Sequence, residues 1–267
     1  MKKHHQITSA MILAAGLGNR IRSANKLVPK PLIKVAGREL IEYSISNAIG
    51  FGINQLIVNT HYKADLINSY LQTPHIKTLI SSRSKKLIPL NIKTIYEIKR
   101  LETGGGVRNA LTELGYDPFF VMNSDSIFGR TSFNPLSHLA RAWDSTSMDA
   151  LLLVCPLNSV RGYSGLGDFA LIDKINRENN LLDRNNKIVG KVQRWTKNKQ
   201  EAPLVFTGVQ ILSPSLFNNA PNGPYSLNTH YDEAISRQRL FAMRCDEIWY
   251  HVGTPAGLKL AENNISD

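Results

Sequence analysis

The chain has 267 residues, of which 42% are hydrophobic and 20% are charged. This composition is typical of a soluble globular protein and excludes a disordered or collagen-like chain. Lysine and arginine total 32 against 21 for aspartate and glutamate, and the resulting net charge of +11 suits a polyanionic ligand such as a nucleotide. The basic residues form only short clusters, without interleaved aromatic residues or a nucleic-acid motif, so we expect no nucleic-acid partner.

Cys155 and Cys245 are the only cysteines, and they form neither a CxxC motif nor a metal-ligand spacing. We expect reduced thiols in a cytoplasmic protein. Lys2 and Lys3 precede an apolar stretch, as in a short signal peptide, but cleavage after Ala15 would remove the strand described next. No stretch approaches the roughly 18 apolar residues of a membrane span, so we expect no membrane partner.

The first chemical feature follows the first predicted strand. Residues 10–15 form an apolar run, too short for a globular helix, which predicts a strand buried on both faces. Gly16 and Gly18 follow, and glycines there permit positive φ and bring backbone N–H groups close to an anion. Arg20 and Lys30 add two cations, and a proline on each side stiffens Lys30. A glycine pair after a strand is also a frequent turn, but the whole combination suits a polyphosphate.

Strands and helices alternate after this turn. In chain order we predict a helix at 38–49, a strand at 55–59, a helix at 66–71, a strand at 92–97, a helix at 107–114 and a strand at 118–123. This alternation is typical of a mainly parallel sheet with helices on both faces, whose ligand lies at the carboxyl ends of the strands.

The second half of the chain is less regular. In chain order we predict a helix at 139–143, a strand at 150–154, paired strands at 168–173 and 190–195, a strand at 205–212, a helical turn at 215–217, a helix at 231–237, strands at 240–244 and 248–252, and a helix at 255–262. No linker or repeat separates the halves. We therefore predict a single domain over residues 1–267, with a nucleotide-binding half at 7–125 and an acceptor half at 126–267.

A run of three glycines, Gly104, Gly105 and Gly106, precedes the third predicted helix. Because they carry no side chains, a planar base or a phosphate can lie against their backbone. A plain glycine-rich turn is an equally good interpretation of these residues alone. Glu102 belongs either to the same site or to a cap of the helix.

Asp125 follows the apolar strand predicted at 118–123. Taken singly, an aspartate in this position is most often a helix cap or a turn former. At the carboxyl end of a central strand it also faces the same crevice as Gly16 and Gly18. Mg²⁺ that bridges nucleotide phosphates takes oxygen ligands from one or two carboxylates, so a metal ligand is the second interpretation.

The segments LAAGLGNR, PKPL, ETGGG and NSD resemble the signature of the sugar-1-phosphate nucleotidyltransferases. The resemblance implies a Rossmann-like three-layer α/β sandwich with a mainly parallel mixed sheet. The nucleotide contacts that it implies are Ala15, Gly16, Gly18, Glu102, Gly104 and Gly105. The catalytic residues that it implies are Arg20, Lys30 and Asp125, of which Asp125 holds Mg²⁺.

The segment WYHVGTPAGL at 249–258 resembles the closing WxDxGTP segment of the same family. His251 stands where the family has its second metal-binding aspartate. A histidine at the end of a strand is most often structural, so a metal role for His251 is open.

Two segments resemble the acceptor side of the family, and they imply sugar contacts at Gly167, Asp168, Thr207 and Gly208. A VEKP segment, whose lysine binds the sugar phosphate in many members, is missing. Lys191 and Arg194 are candidates to replace that lysine, and both are equally well interpreted as surface cations.

The resemblance implies transfer of a nucleotidyl group from a nucleoside triphosphate to a sugar 1-phosphate, with release of pyrophosphate. ETGGG and GDF favour uridylyl transfer to an amino-sugar phosphate such as N-acetylmuramate 1-phosphate, for cell-wall metabolism. Guanylyl transfer to mannose 1-phosphate is the alternative, and cytidylyl transfer to choline phosphate is more distant. Because of His251, a nucleotide-binding regulatory subunit without catalysis is a further alternative, which the retained Arg20, Lys30 and Asp125 oppose.

Overall fold

The computed structural model describes residues 7–22, 28–83, 90–129, 132–175, 188–197 and 203–265. Helices and strands alternate along most of this length. Within the described ranges, no helix is both long enough and apolar enough to cross a membrane.

The strands, numbered in chain order, are β1 Ser9–Leu13, β2 Lys34–Val35, β3 Arg38–Glu39, β4 Gln55–Thr60, β5 Asn91–Tyr96, β6 Phe119–Asn123, β7 Ser126–Phe128, β8 Ala150–Pro156, β9 Val160–Arg161, β10 Phe169–Ile175, β11 Val189–Arg194, β12 Leu204–Leu212, β13 Leu240–Arg244 and β14 Trp249–His251. The α-helices are α1 Asn19–Arg22, α2 Leu40–Phe51, α3 Ala64–Leu71, α4 Pro74–Arg83, α5 Glu102–Leu114, α6 Pro135–Ala142, α7 Asn228–Ser236 and α8 Pro255–Asn264. Short 3-10 helices cover Lys30–Leu32, Leu157–Ser159 and Pro214–Phe217.

Nine strands form the central sheet in the order β10, β11, β13, β8, β12, β6, β1, β4 and β5. β5, β4, β1 and β6 are parallel to one another. β12 and β11 run opposite to the other seven strands. The predicted mainly parallel mixed sheet is confirmed, and the pairing of β6 with β12 continues it from the first half of the chain into the second.

Helices cover both faces of this sheet. Neighbouring residues of β1 show this, because they belong to different hydrophobic clusters. Ile12 packs with Ile41 of α2 on one face, and Met11 packs with Val107 of α5 on the other. α6 adds Leu139 to the first cluster, and α7 adds its buried apolar residues to the second. The predicted three-layer sandwich is confirmed, and it explains why β1 reads as a continuous apolar run.

A second, three-stranded sheet in the order β7, β14, β9 lies beside the central one. The indole Nε1 of Trp249 donates to Ser126 Oγ at 3.1 Å, and Ser126 Oγ donates to the carbonyl of Thr207 at 2.7 Å. The strand predicted at 248–252 thus belongs to this small sheet. The helix that follows it begins at Pro255, and Thr254 caps it by accepting the N–H of Gly257 at 3.1 Å.

Several predicted element boundaries are wrong. Residues 38–39 form β3, which pairs with β2 across a tight turn at Ala36 and Gly37, both with positive φ, so the first long helix begins only at Leu40. The helix predicted to begin at residue 107 begins at Glu102 and includes all three glycines. α4 was not predicted, because its sequence carries no regular apolar stripe.

His230 on α7 is a buried titratable residue, 1% exposed. Its Nε2 contacts the hydroxyl of Tyr225 at 3.0 Å. Its Nδ1 has no hydrogen-bond partner among the described residues, and Glu233 Oε2 lies 3.8 Å away. Burial lowers the pKa of His230 below its usual 6.5, and the Glu233 carboxylate offsets part of this effect.

We expect the free energy of unfolding to decrease as the pH falls below about 6.5, because unfolded His230 binds a proton more readily than the buried imidazole. One proton contributes a slope of at most about 1.4 kcal/mol per pH unit. Urea unfolding of the wild type and of His230→Gln across this range measures that share. Gln keeps an amide for Tyr225 and does not titrate, so an identical pH dependence in the two proteins would contradict the assignment.

Candidate active site

A cavity of about 320 Å³ opens at the carboxyl ends of β1, β4, β5 and β6. Parallel strands end at the same edge of a sheet, so this position collects residues that are far apart in sequence. The lining comes from five segments, residues 13–16, 30–31, 59, 97–103 and 123–125.

The turn after β1 forms one wall of the cavity. Ala15 is buried and Gly16 is exposed, and both line the cavity. Gly18 has a φ of +63°, and a Cβ added there would lie 3.0 Å from Lys30 Cβ, so glycine lets the turn pack against this lysine. The predicted positive φ is confirmed for Gly18 and wrong for Gly16, which is absent from the positive-φ residues of the described chain.

Lys30 and Asp125 meet in this cavity, although 95 positions separate them in sequence. Lys30 begins a 3-10 helix after the extended Pro29, which directs its side chain into the cavity. Its Nζ forms an ion pair with Asp125 Oδ2, and each side chain is 19% exposed. Asp125 lies in the turn between β6 and β7 and caps no helix. The structure therefore places a cation and a carboxylate together where phosphates were expected.

Arg20 lies on α1, which follows the turn after β1. Its side chain lies outside the part of the chain that the structure describes. Its contact with the nucleotide phosphates remains a prediction.

The three glycines are buried within α5. The N–H groups of Gly104 and Gly105 donate to the carbonyl of Tyr225 at 2.9 and 3.2 Å. A Cβ at Gly104 would lie closer than 3.0 Å to the Tyr225 ring, and one at Gly105 would lie 2.6 Å from the carbonyl oxygen of Gly223. The interpretation of these glycines as an open surface for a base is wrong, because the segment before α7 covers them.

Glu102 remains at the cavity although its glycine neighbours do not. It lines the opening together with Thr103 and forms an ion pair with Arg100. No side-chain hydrogen bond caps α5, so Glu102 is not the predicted cap. Thr103 Oγ1 accepts the N–H of Leu227 at 2.9 Å and ties this end of α5 to α7.

His251 lies opposite Ser126 in the β14–β7 register. Ser126 directly follows Asp125 in sequence. Its Nδ1 lies 3.2 Å from the carbonyl oxygen of Gly162, which can only accept, so Nδ1 is the donor of this hydrogen bond. Its ring makes an edge contact with Tyr163 at 5.6 Å between centroids. These contacts agree with a structural role for His251, and the alternative metal role remains a prediction.

No group of three or more histidine, cysteine, aspartate or glutamate side chains among the described residues is arranged to hold a metal ion. Asp125 offers a carboxylate at the position predicted for the metal. Mg²⁺ commonly takes one or two carboxylates and completes its shell with substrate phosphates and water. The residues present therefore fit an ion that binds together with a nucleotide.

Gly167 and Asp168 connect the acceptor-side strands. Asp168 Oδ2 accepts the N–H of Phe206 at 2.9 Å. Burial raises the pKa of Asp168, against the opposing effects of this N–H and of Arg194. Gly167 has a φ of +106°, and a Cβ there would lie 2.5 Å from Pro203 Cβ. Both residues thus join β10 to β12, and their contact with the sugar remains a prediction.

Thr207 and Gly208 lie at the irregularity of β12. Thr207 is 1% exposed, and its hydroxyl donates to the carbonyl of Leu153 at 2.9 Å. The Thr207 side chain therefore points into the sheet, and the predicted contact of Thr207 with the sugar is left to its backbone. Gly208 has a φ of +80°, and a Cβ there would press on the side chain of Asn123 at the end of β6.

The two candidate cations of the acceptor side differ in their surroundings. Arg194 Nε donates to Asp232 Oδ1 at 2.8 Å, and its guanidinium lies 4.8 Å from the centroid of the Phe169 ring. Arg194 also pairs with Phe169 in the β10–β11 register, which places it beside the GDF segment. Lys191 instead donates to Gln238 at 3.1 Å. The geometry favours Arg194 over Lys191 as the cation that replaces the missing VEKP lysine.

Asn59 and Glu97 are lining residues that the sequence patterns did not identify. They are 3% and 2% exposed. Asn59 is the last residue but one of β4, and Glu97 directly follows β5. Both strands have their carboxyl ends at the cavity. A polar residue at the carboxyl end of a predicted parallel strand was the available signal.

Residues 9–166 match the protein family described as nucleotidyl transferase. The chain is also 32% identical over 259 residues to an N-acetylmuramate alpha-1-phosphate uridylyltransferase of Caulobacter vibrioides. The aligned region covers 97% of each protein. The chain belongs to the nucleotidyl transferase family. The predicted resemblance is therefore confirmed.

One more relative in sequence and one solved structure are also similar to the chain. A mannose-1-phosphate guanylyltransferase catalytic subunit beta of Xenopus tropicalis is 25% identical over 250 residues, which is 92% of this chain and 61% of that protein. The crystal structure of a UDP-glucose pyrophosphorylase complexed with UDP-glucose superposes with a TM-score of 0.74 at 16% identity, over 96% of this chain and 97% of that one. At this identity the match confirms the fold.

We expect Gly208→Ala to destabilise the protein more than Gly223→Ala does. Both glycines have a φ near +80°, but only Gly208 lacks space for a Cβ, whereas nothing lies within 4 Å of a Cβ at Gly223. The left-handed conformation costs alanine roughly 1–2 kcal/mol at either position, and overpacking adds about 1–3 kcal/mol at Gly208. Chemical denaturation measures the free energy of unfolding of both variants. Equal losses of stability would contradict the prediction, because they would show that the Asn123 side chain moves aside at no cost.

Proposed function

We propose that the protein transfers a uridylyl group from UTP to an amino-sugar 1-phosphate such as N-acetylmuramate α-1-phosphate, and releases pyrophosphate. The observation that carries this proposal is the pairing of Lys30 with Asp125 in a cavity at the carboxyl edge of four parallel strands. The match to the uridylyltransferase of Caulobacter vibrioides, at 32% identity over 97% of each chain, supports the choice of substrates.

A phosphate oxygen of the sugar phosphate attacks the α-phosphorus, the bond to the bridging oxygen breaks, and pyrophosphate carries the negative charge away. The nucleophile is already an anion, so the protein supplies alignment and charge neutralisation. In this proposal the backbone of Ala15, Gly16 and Gly18, with Arg20, holds the β- and γ-phosphates. Lys30 meets the negative charge that develops at the α-phosphate.

Asp125 would hold a divalent cation, which we propose to be Mg²⁺. When bound, this cation neutralises phosphate charge at the reacting centre. Lys30 neutralises the same carboxylate in the free protein. As phosphates enter, Lys30 exchanges one anionic partner for another, and no charged group is left without a counter-ion.

On the acceptor side, we assign the sugar and its phosphate to the region of Gly167, Asp168 and Gly208, with Arg194 as the nearby cation. Together with the sheet that joins both halves, this supports one domain over residues 1–267. Cys155 and Cys245 are both buried and neither belongs to a disulfide, which accords with a cytoplasmic enzyme.

Guanylyl transfer to mannose 1-phosphate is the second candidate, favoured by the more distant match to the Xenopus tropicalis subunit. Pyrophosphate release with each of the four nucleoside triphosphates and a panel of sugar 1-phosphates separates the candidates. We expect the highest kcat/KM with UTP and N-acetylmuramate α-1-phosphate. A preference for GTP with mannose 1-phosphate would select the alternative, and no release with any pair would indicate a regulatory nucleotide-binding subunit.

We expect Lys30→Ala to lower kcat about a hundredfold, because removing one group that stabilises developing charge costs on the order of 3 kcal/mol. Nucleotide affinity should change much less, since the triphosphate keeps its backbone contacts. Lys34→Ala is the matched control, because Lys34 is 64% exposed and pairs at 3.6 Å with Glu39. Turnover of Lys30→Ala equal to that of Lys34→Ala would remove Lys30 from the mechanism.

A further inference from the structure

A chain of three hydrogen bonds crosses the cavity wall through two buried side chains. The N–H of Ala14 donates to Asn59 Oδ1 at 2.8 Å. Asn59 Nδ2 donates to Glu97 Oε1 at 2.7 Å, and the N–H of Leu101 donates to Glu97 Oε2 at 2.8 Å. The turn after β1 is thereby connected to the start of α5 through the ends of β4 and β5.

The state of Glu97 is unusual for a carboxylate. It is 2% exposed, and no lysine, arginine or histidine forms an ion pair with it in the described part of the chain. Burial of a carboxylate is unfavourable unless donors satisfy its oxygens. Asn59 and the Leu101 amide satisfy one oxygen each, which fixes the orientation of Glu97 through both of its oxygens.

The third glycine of α5 makes room for this pair. A Cβ at Gly106 would lie 2.9 Å from Asn59 Nδ2 and 2.9 Å from Glu97 Oε1. Any other residue at position 106 would press on the hydrogen bond between the two side chains. The helix sequence and the buried pair thus depend on each other.

We propose that Asn59 and Glu97 are positioning residues that set the spacing between the turn after β1 and the start of α5, and hence the width of the nucleotide cavity. The inference rests on the proposed function, because the two segments are the walls assigned to the nucleotide. Ala14 precedes Ala15 and Gly16, and Leu101 precedes the lining residues of α5. The pair therefore acts on substrate through backbone that it holds in place.

The order of donors and acceptors in this chain gives a specific test. Both end groups are N–H donors, so the two side chains must present acceptors outward and share one donor between them. In Glu97→Gln two amide NH₂ groups face each other, and in Asn59→Asp two carboxylates do. The double variant Asn59→Asp with Glu97→Gln restores a complete chain with the shared donor reversed.

We expect each single variant to raise the KM for the nucleoside triphosphate at least about tenfold, with a smaller change in kcat, because misplaced walls weaken the binding of substrate and transition state alike. The double variant should recover most of this loss. Glu113→Gln on α5 is the matched control, since Glu113 pairs at 2.6 Å with Lys93 at the surface. Single variants with wild-type KM, or a double variant no better than the worse single one, would overturn the proposal.

Amide hydrogen exchange of Ala14 and Leu101, measured by NMR without substrate, tests the pair independently of the reaction. We expect slow exchange in the wild type, faster exchange in both single variants and slow exchange again in the double variant. If the wild type transfers no nucleotidyl group, this pattern still supports the pair while the proposed function fails. Unchanged exchange in the single variants would overturn the pair alone.

Gly106→Ala provides a second route if the single variants fail to fold. If the double variant folds and neither single variant does, the hydrogen-bond chain with its shared donor reversed is sufficient for folding, which would support the proposal. If none of these variants folds, Gly106→Ala should raise the nucleotide KM and the exchange rate of the Leu101 amide. A folded Gly106→Ala protein with wild-type values of both would contradict it.

Discussion

The parallel direction of β5, β4, β1 and β6 is the constraint on which the site depends. It brings the carboxyl ends of four strands to one edge, so that Ala14, Asn59, Glu97 and Asp125 line one cavity. An antiparallel neighbour would carry its carboxyl end to the other side. The crossovers of a parallel sheet place helices on both faces, and this requirement makes the strands apolar and leaves the polar chemistry to the residues at their ends.

Two carboxylates at this edge are stabilised in different ways. Glu97 accepts hydrogen bonds from an amide side chain and a backbone N–H, which suits a fixed structural position. Asp125 is balanced by the ammonium of Lys30, a partner that phosphates can attract and that a metal ion can replace. Hydrogen bonds from neutral groups thus mark the carboxylate that holds the walls, and the ion pair marks the one assigned to the reaction.

The sequence allowed prediction of the sheet and of the site residues that belong to continuous motifs, because Lys30, Asp125 and the turn after β1 carry their chemistry locally. The glycines of α5 were misinterpreted, because Tyr225 and Gly223, which cover them, lie more than 100 positions later. Asn59 and Glu97 depend on the register of β4 against β5, in which Asn59 pairs with Ile95. No local pattern specifies that register, and the direction of the Thr207 side chain likewise depends on Leu153, which lies on another strand.

The most direct measurement is a crystal structure of the protein with Mg²⁺ and a UTP analogue that cannot be cleaved between the α- and β-phosphates. The account predicts the α-phosphate beside Lys30 Nζ, the cation on Asp125, and the outer phosphates against the backbone of residues 14–16. A nucleotide bound outside this cavity, or bound within it while Lys30 stays paired with Asp125 and no cation reaches that carboxylate, would contradict it.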